Sequence, residues 1–292
     1  MAAMRWIDGC SIMKRAPVNK IIAFSNVDGP GNRTSIFFQG CPFNCLFCHN
    51  PETIHLCVNC GACVPGCPTG ALSVDEEGKV RWDSARCVQC DACLKTCPHD
   101  SSPRIRWMTV EEVMKEIRRS APYIGGVTTS GGECTQWNEF LIELFTEVHK
   151  LGKTCLLDSN GSFDFEADPR ILSVCEGVML DVKAVERDWS DRLISYPNDI
   201  VLKNLAYLLQ VGKLQEVRTL IFPGRDAENE ATVRYVAQRI GPACDYKIIR
   251  YRPFGVRERY QKLLGEFTTE EAYAERYAAL ARSLGASRAF VV

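Results

Sequence analysis

The chain has no surplus of charge, no long apolar stretch and no leader pattern. Its 35 basic and 36 acidic side chains leave a formal charge of −1. That excludes the strongly basic surface with which a protein holds nucleic acid or an anionic membrane. No apolar run approaches the roughly 18–20 residues a membrane-spanning helix needs. Residues Met1 to Lys20 include Arg5, Lys14 and Arg15 without an uninterrupted apolar core, so export is not expected and the protein reads as cytoplasmic. Helix-period segments are also missing between Gln39 and Thr109, where cysteine, glycine and proline dominate.

Outside that gap the chain alternates short β-rich runs with amphipathic helices. Strands are expected at Thr34–Gln39, Gly125–Thr129, Lys153–Leu157, Val178–Val182, Glu216–Phe222 and Tyr246–Tyr251, with Ala289–Val292 as a further strand. Thr109 and Glu112 form a capping box before a helix whose Val110, Val113, Met114 and Ile117 share one face. A second helix carries Phe140, Leu141, Leu144, Phe145 and Val148 on one stripe with Trp137, and Gly152 stops it. A short helix is expected near Pro169–Cys175, and longer ones over Ile200–Val211, Glu228–Ile240 and Glu270–Leu284. Thr268 and Glu271 read as a second capping box. Six β/α units of this kind favour parallel strands with right-handed crossovers, as a barrel or as an open sheet.

The chain has 16 cysteines, and eleven of them fall between Cys41 and Cys97. In a reducing compartment such clusters point to metal ligands rather than disulfides. Cys57, Cys60, Cys63 and Cys67 precede Pro68; Cys87, Cys90, Cys93 and Cys97 precede Pro98, each 30 residues after its counterpart. This is the C-x2-C-x2-C-x3-C-P run of two-cluster bacterial ferredoxins, written twice. In that arrangement Cys57, Cys60, Cys63 and Cys97 hold one [4Fe–4S] cluster, and Cys87, Cys90, Cys93 and Cys67 the other. A pair of zinc knuckles is the alternative, but zinc needs only four ligands and not two interleaved quartets. Residues 51–106 are therefore expected to form an inserted module, with residues 1–50 and 107–292 forming the α/β body.

Directly after the first expected strand, Cys41, Cys45 and Cys48 stand in C-x3-C-x2-C spacing. Three cysteines leave one iron of a four-iron cluster open to a non-protein ligand; a third ordinary cluster or a zinc site is the alternative. With Asp28-Gly29-Pro30-Gly31-Asn32-Arg33, Phe38-Gln39-Gly40-Cys41 and Cys48-His49-Asn50, the sequence resembles the glycyl-radical-enzyme activating enzymes of the radical S-adenosylmethionine (SAM) superfamily. Its insert and Leu157-Asp158-Ser159-Asn160-Gly161 are similar to the ferredoxin-insert subgroup of YjjW type.

The resemblance covers essentially the whole chain beyond Ile21 and implies a partial (β/α)6 barrel with a ferredoxin-like insert. It implies a radical SAM oxidoreductase with three [4Fe–4S] clusters: one SAM-binding, on catalytic Cys41, Cys45 and Cys48, and two auxiliary. It also implies a glycyl-radical enzyme as protein substrate and an electron donor such as flavodoxin or ferredoxin, with no nucleic acid or membrane partner. By position, Gly131, Gly132 and Glu133 would meet the methionine amine, the Glu133 carboxylate pairing with the ammonium. Lys183 and Arg218 would meet its carboxylate, and Phe47 and His49 the adenine. Asp158 and Asp181, with Ser159 and Met179, would hold a monovalent cation; the alternative is that Asp158 caps the next turn and Asp181 pairs with Lys183. Asp28, placed at the rim, is a candidate contact for the partner's loop, a simple hairpin-turn residue being the alternative.

Two departures stand out: Cys134 follows the GGE motif where the family often has Pro or Ala, and Tyr251–Gly255 lacks the histidine some activases carry. Cys10, Cys134, Cys155, Cys175 and Cys244 are expected to be small buried fillers rather than ligands. Two other activities fit parts of the pattern. A radical SAM enzyme acting on a small molecule would share the three-cysteine site; a multi-cluster electron-transfer protein would have only closed clusters and no need of Lys183 or Arg218.

Overall fold

The computed structural model describes residues 14–292; Cys10 lies outside them. In chain order the elements begin with β1 (Arg15–Ser25) and β2 (Arg33–Phe38). Then come β3 (Leu72–Val74), β4 (Val80–Trp82) and α1 (Ala92–Thr96), which belong to the cysteine-rich segment. The body resumes with β5 (Arg106–Thr109), α2 (Val110–Ser120), β6 (Gly126–Gly131), α3 (Asn138–His149), β7 (Thr154–Ser159) and β8 (Gly177–Asp181). It continues through α4 (Arg187–Ile194), α5 (Asp199–Gln210), β9 (Leu214–Ile221), α6 (Asp226–Ile240) and β10 (Asp245–Arg250). It ends with α7 (Glu258–Leu264), α8 (Glu271–Ser283) and β11 (Ala289–Val291).

Nine strands form one mixed sheet in the order β11-β10-β9-β8-β7-β6-β2-β1-β5. From β2 through β11 the neighbours in this sheet are parallel, whereas β1 is antiparallel to both β2 and β5. This is an α/β arrangement consistent with a partial barrel, whose six successive parallel strands β2, β6, β7, β8, β9 and β10 were expected from the sequence. Their C-terminal ends form one mouth, where the polar motifs gather.

The helices pack as their patterns require. Both bonds of the capping box are present in α2: Glu112 N–H donates to Thr109 Oγ1 at 3.2 Å, and Thr109 N–H to Glu112 Oε2 at 2.7 Å. Val110, Val113, Met114 and Ile117 are all buried. Phe140 of α3 meets Phe38 of β2 edge to face, with ring centroids 5.9 Å apart.

The other expected box is absent. Glu270 is the N-cap of α8 and makes no side-chain cap bond, while Thr269, not Thr268, is engaged, donating its hydroxyl to the Ile221 carbonyl at 3.0 Å. Pro169–Ser173 is a single 3-10 turn, and Trp137 closes another one ahead of α3. Elements β1, β3, β4, β5, α1, α4 and α7 were not foreseen, α1 lying in the stretch where no helix-period segment is read. Residue 17 is proline and residue 20 lysine within β1, which masks its strand pattern; pairing on both sides at its start supplies the order.

Residues 51–106 keep a small core of their own around Cys63, Leu72 and Cys93, apart from the main one. Among the described residues no helix is long and apolar enough to cross a membrane.

Candidate active site at the mouth of the barrel

The cysteine loop is held in place by backbone bonds from two sides. Cys41 N–H donates to the Ile54 carbonyl at 2.8 Å, while Asn44 N–H and Leu46 N–H donate to the carbonyls of Ile194 and Leu193 at 3.0 and 2.9 Å. Those two carbonyls belong to the last turn of α4, where helix acceptors otherwise lack partners. Gln39, fully buried, donates its amide to the carbonyls of Glu52 and His55 at 2.6 and 2.7 Å and so fixes the chain that leaves the loop. Arg257 adds a bond to the Cys45 carbonyl at 2.8 Å and an ion pair to Asp100 at 2.7 Å, tying the loop to the cysteine-rich segment.

Cys41, Cys45 and Cys48 line one cavity of about 270 Å³ together with Ser130, Gly131, Gly132, Asp158, Asp181, Lys183, Arg218, Phe47 and His49. The structure thus brings these candidates together; Glu133, Ser159 and Met179 are not among the residues that line the cavity. The Glu133 carboxylate is 1% exposed and is taken up by donors of its own fold: Thr135 Oγ1 at 2.6 Å, Asn160 N–H at 2.7 Å, Ser159 Oγ at 3.0 Å and Thr135 N–H at 3.2 Å. Burial pushes its pKa upward against those donors. The carboxylate that the sequence pairs with an ammonium is thus hydrogen-bonded within its own fold, while Gly131 and Gly132 line the cavity.

These glycines serve close approach of the chain to itself. A Cβ on Gly131, at φ +124°, would sit 2.2 Å from the Phe38 carbonyl oxygen, and one on Gly132 would sit 2.3 Å from that of Gly40.

The charges in the cavity are matched. Arg218 contacts Asp158 at 2.8 Å and Glu216 at 2.5 Å, and Lys183 contacts Asp181 at 2.6 Å. Ser130 Oγ donates to Asp158 at 2.9 Å. Burial and the neighbouring Asp181 push Asp158 upward, with Arg218 opposing. Burial works against the charge of Lys183, but Asp181 and Cys45 outweigh it and its pKa rises. The Lys183 ammonium also lies 5.3 Å from the centre of the Phe47 ring. Glu216 and Lys247, paired at 2.7 Å behind Arg218, carry no sequence signal of their own.

Burial raises all three mouth thiols, Cys45 to about 12, with Lys183 and Arg257 opposing at Cys45 and Cys48. Asn160 Nδ2 donates to Cys41 Sγ at 3.4 Å; it lies in the Leu157–Gly161 motif but was not singled out. His49 is held below its ordinary value by burial, with its Nε2 3.0 Å from the Arg252 carbonyl. Gly255 packs against the His49 backbone, so the Tyr251–Gly255 segment braces this histidine.

Asp28 is not at the mouth. Its turn precedes β2 at the opposite end of the strands, where its carboxylate accepts from Ser25 Oγ at 2.6 Å and Ser35 Oγ at 2.7 Å, and its carbonyl from Thr128 Oγ1 at 2.6 Å. Thr128 shares a strand face with the cavity residue Ser130, so the turn is tied to the same face of β6 that carries the site. Also at that end, His149, Cys155 and Glu176 approach one another. There Glu176 accepts from the Cys155 N–H at 2.5 Å and contacts His149 Nε2 at 3.2 Å. Cys134, Cys155, Cys175 and Cys244 are buried in the main core, as expected of fillers.

The remaining eight cysteines surround two further cavities. One is lined by Cys57, Cys60, Cys63 and Cys97, the other by Cys67, Cys87, Cys90 and Cys93. Hydrogen bonds from Thr69 and Ala71 outweigh a slight desolvation and lower Cys67. Cys87 is lowered first by the approach of the Trp82 indole, then by the Gln89 backbone. That indole Nε1 is buried without an oxygen or nitrogen partner.

The sequence pattern of the Radical SAM superfamily matches residues 35–236, more than half of the chain. An indoleacetate decarboxylase activating enzyme of Tractidigestivibacter scatoligenes is 31% identical over 269 residues, covering 83% of this chain and 85% of its own. A (2S)-3-sulfopropanediol dehydratase activating enzyme of Klebsiella oxytoca is 30% identical over 242 residues, 75% of this chain and 76% of its own. Streptococcus suis SuiB bound to its precursor peptide SuiA superposes with a TM-score of 0.53 at 11% identity, over 86% of this chain and 46% of that one, a likeness of fold alone. The chain belongs to the radical SAM superfamily as an oxidoreductase and, within it, to the glycyl-radical-enzyme activating enzymes.

Proposed function

We propose that this activating enzyme cleaves SAM reductively at the mouth cavity and removes the α-hydrogen of one glycine in a partner glycyl-radical enzyme. The observation that carries the reading is the convergence of Cys41, Cys45 and Cys48 with Ser130–Gly132, Lys183 and Arg218 on one cavity. Three thiols without a fourth suit a [4Fe–4S] cluster with one open iron, and Lys183 and Arg257 lie where they offset thiolate charge. When bound, that cluster supplies the electron that breaks the C5′–S bond of SAM, giving methionine and a 5′-deoxyadenosyl radical.

The chain's own residues bind and orient. Backbone oxygens at Gly131 and Gly132 would receive the methionine ammonium, and Lys183 and Arg218 its carboxylate. Phe47 and His49 would flank the adenine. Asp158 and Asp181, with Ser159 and Met179, would hold a monovalent cation that lets a third carboxylate approach them. The packed walls of the barrel would keep other hydrogen donors from the radical until the partner's loop arrives.

Residues 51–106 would form the ferredoxin-like insert of the YjjW-type subgroup, between body segments 1–50 and 107–292. Its two quartets would hold auxiliary [4Fe–4S] clusters, fed by a flavodoxin or ferredoxin in the cytoplasm. The quartet cavities support this, and the orphaned Trp82 N–H beside Cys87 fits a sulfur acceptor.

Anaerobic reconstitution tests the reading. The protein should hold about twelve irons, four in each of three clusters. With reductant and SAM it should yield methionine and 5′-deoxyadenosine, and a glycine-centred EPR signal only on adding the partner. Cleavage that survives replacement of Cys41, Cys45 and Cys48 by Ala would sink the site. Deoxyadenosine without a glycyl radical on any such partner would transfer the activity to a small molecule.

A further inference from the structure

The two cavities of the cysteine-rich segment are related by the 30-residue repeat, and many of their walls correspond. Val58 matches Val88, Ala62 matches Ala92 and Pro98 matches Pro68. The correspondence fails at the polar positions. The cavity of Cys67, Cys87, Cys90 and Cys93 is walled by the Trp82 indole and the Arg104 guanidinium. Among the described residues no lysine or arginine lines the other, which has Val80, Ser101 and Pro103 and, as its one titratable wall residue besides cysteine, the exposed His99. Thirty residues before Arg104 stands Val74, and thirty before Trp82 stands Glu52, so neither feature belongs to the repeat.

Arg104 is well placed to act on what the cavity holds. Its side chain is 18% exposed and is anchored by Asp91 at 2.7 Å. Asp91 also lines the cavity and opposes the cation, but its side chain is 54% exposed, so water screens it more strongly. Trp82 presents a buried N–H with no oxygen or nitrogen acceptor. A thiolate-bound cluster gains one negative charge on reduction, and a nearby cation or N–H donor favours the more negative state.

We infer that Arg104 and Trp82 hold the cluster on Cys67, Cys87, Cys90 and Cys93 at a higher reduction potential than the one on Cys57, Cys60, Cys63 and Cys97. The inference rests on the reading of residues 51–106 as a two-cluster module. It makes the insert polar: electrons entering it settle on the Arg104 side. Arg104 and Trp82 are positioning residues here, acting through the field at the sulfurs and not as ligands.

The test is a mediated redox titration of the reconstituted full chain, followed by EPR. Cys60→Ser and Cys90→Ser, one in each quartet, assign the two signals. The Cys90-sensitive signal should be reduced at the higher potential. In Arg104→Gln its reduced-to-oxidised ratio at a fixed potential should fall about tenfold, or about 59 mV for a one-electron couple, while the Cys60-sensitive signal stays put. Arg104→Lys should restore most of the difference, and Trp82→Phe should move the same signal in the same direction by less. Trp82→Phe decides the matter if Arg104→Gln loads poorly. Equal midpoints in the parent protein, or unchanged midpoints in fully loaded variants, would overturn the inference. A parent protein with no iron on the eight cysteines would instead overturn the two-cluster reading beneath it.

Discussion

Arg218 Nη1 lies 2.8 Å from Asp158 Oδ1 inside the barrel, with the two side chains only 14% and 16% exposed. Breaking such a pair from one side leaves a buried carboxylate with, among the described residues, only Ser130 Oγ as a side-chain donor. Arg218→Gln is therefore expected to destabilise the fold by about 3 kcal/mol, read from denaturant melts at pH 8. Adding Asp158→Asn should recover most of that loss. Burial and Asp181 already push Asp158 upward, and without Arg218 it rises further. Because the folded state then binds the proton more tightly than the unfolded one, the penalty is present above the folded pKa and is relieved as pH falls through it. The deficit at pH 5 should be smaller than at pH 8; a deficit independent of pH would contradict the assignment.

Gly132 has no room for a methyl group. Its Cβ would lie 2.3 Å from the Gly40 carbonyl oxygen and 2.7 Å from that of Thr53, and both are backbone atoms that cannot swing aside. Gly132→Ala should cost about 1–3 kcal/mol through overpacking and abolish SAM cleavage while the eight-cysteine segment keeps its iron. Gly78→Ala, at a turn with nothing within 4 Å, should leave cleavage intact. Equal cleavage in the two variants would show that the Gly40–Gly132 contact does not shape the site.

The apo-protein should alkylate unevenly. Cys67 and Cys87 are lowered, whereas burial raises Cys41, Cys45 and Cys48. A lower pKa means more thiolate at a given pH and faster attack on iodoacetamide. At pH 7.5, peptide mass spectrometry should find Cys67 and Cys87 modified well before the mouth cysteines, and the gap should narrow as pH rises. Early labelling of Cys45 would rule this out.

Ion dependence examines the Asp158–Asp181 site. Within the cavity Lys183 and Arg218 already answer the two aspartates, so a SAM carboxylate brings one negative charge more than the side chains balance. SAM affinity should fall sharply when potassium is replaced by a bulky organic cation at equal ionic strength. Unchanged affinity in the organic cation, with normal cleavage in Asp158→Asn, would mean that Lys183 and Arg218 suffice.

The roles least legible in the sequence are those made by distant partners. Arg257 reaches the Cys45 carbonyl across 212 positions, and α4, amphipathic but only 8 residues long, offers its final carbonyls to Asn44 and Leu46. Glu133 reads in sequence as a ligand-facing carboxylate because the motif places it beside two cavity glycines. Only the fold shows that Thr135, Ser159 and Asn160 already occupy it. Asp28 shows the same limit: a Gly-Pro turn marks a bend but not the end of the barrel on which it lies, which its bonds to Ser25, Ser35 and Thr128 show.

By itself the sequence determined the β/α alternation, the faces of α2 and α3, and the grouping of eleven cysteines into one triad and two interleaved quartets. Those are properties of periodicity and short spacing, which act within a few turns of chain. Tertiary structure decided which charges meet in the barrel, which carboxylates remain free to face a ligand, and which quartet has a guanidinium beside it. Such contacts depend on burial and on the approach of strands far apart in sequence, and no local pattern records them.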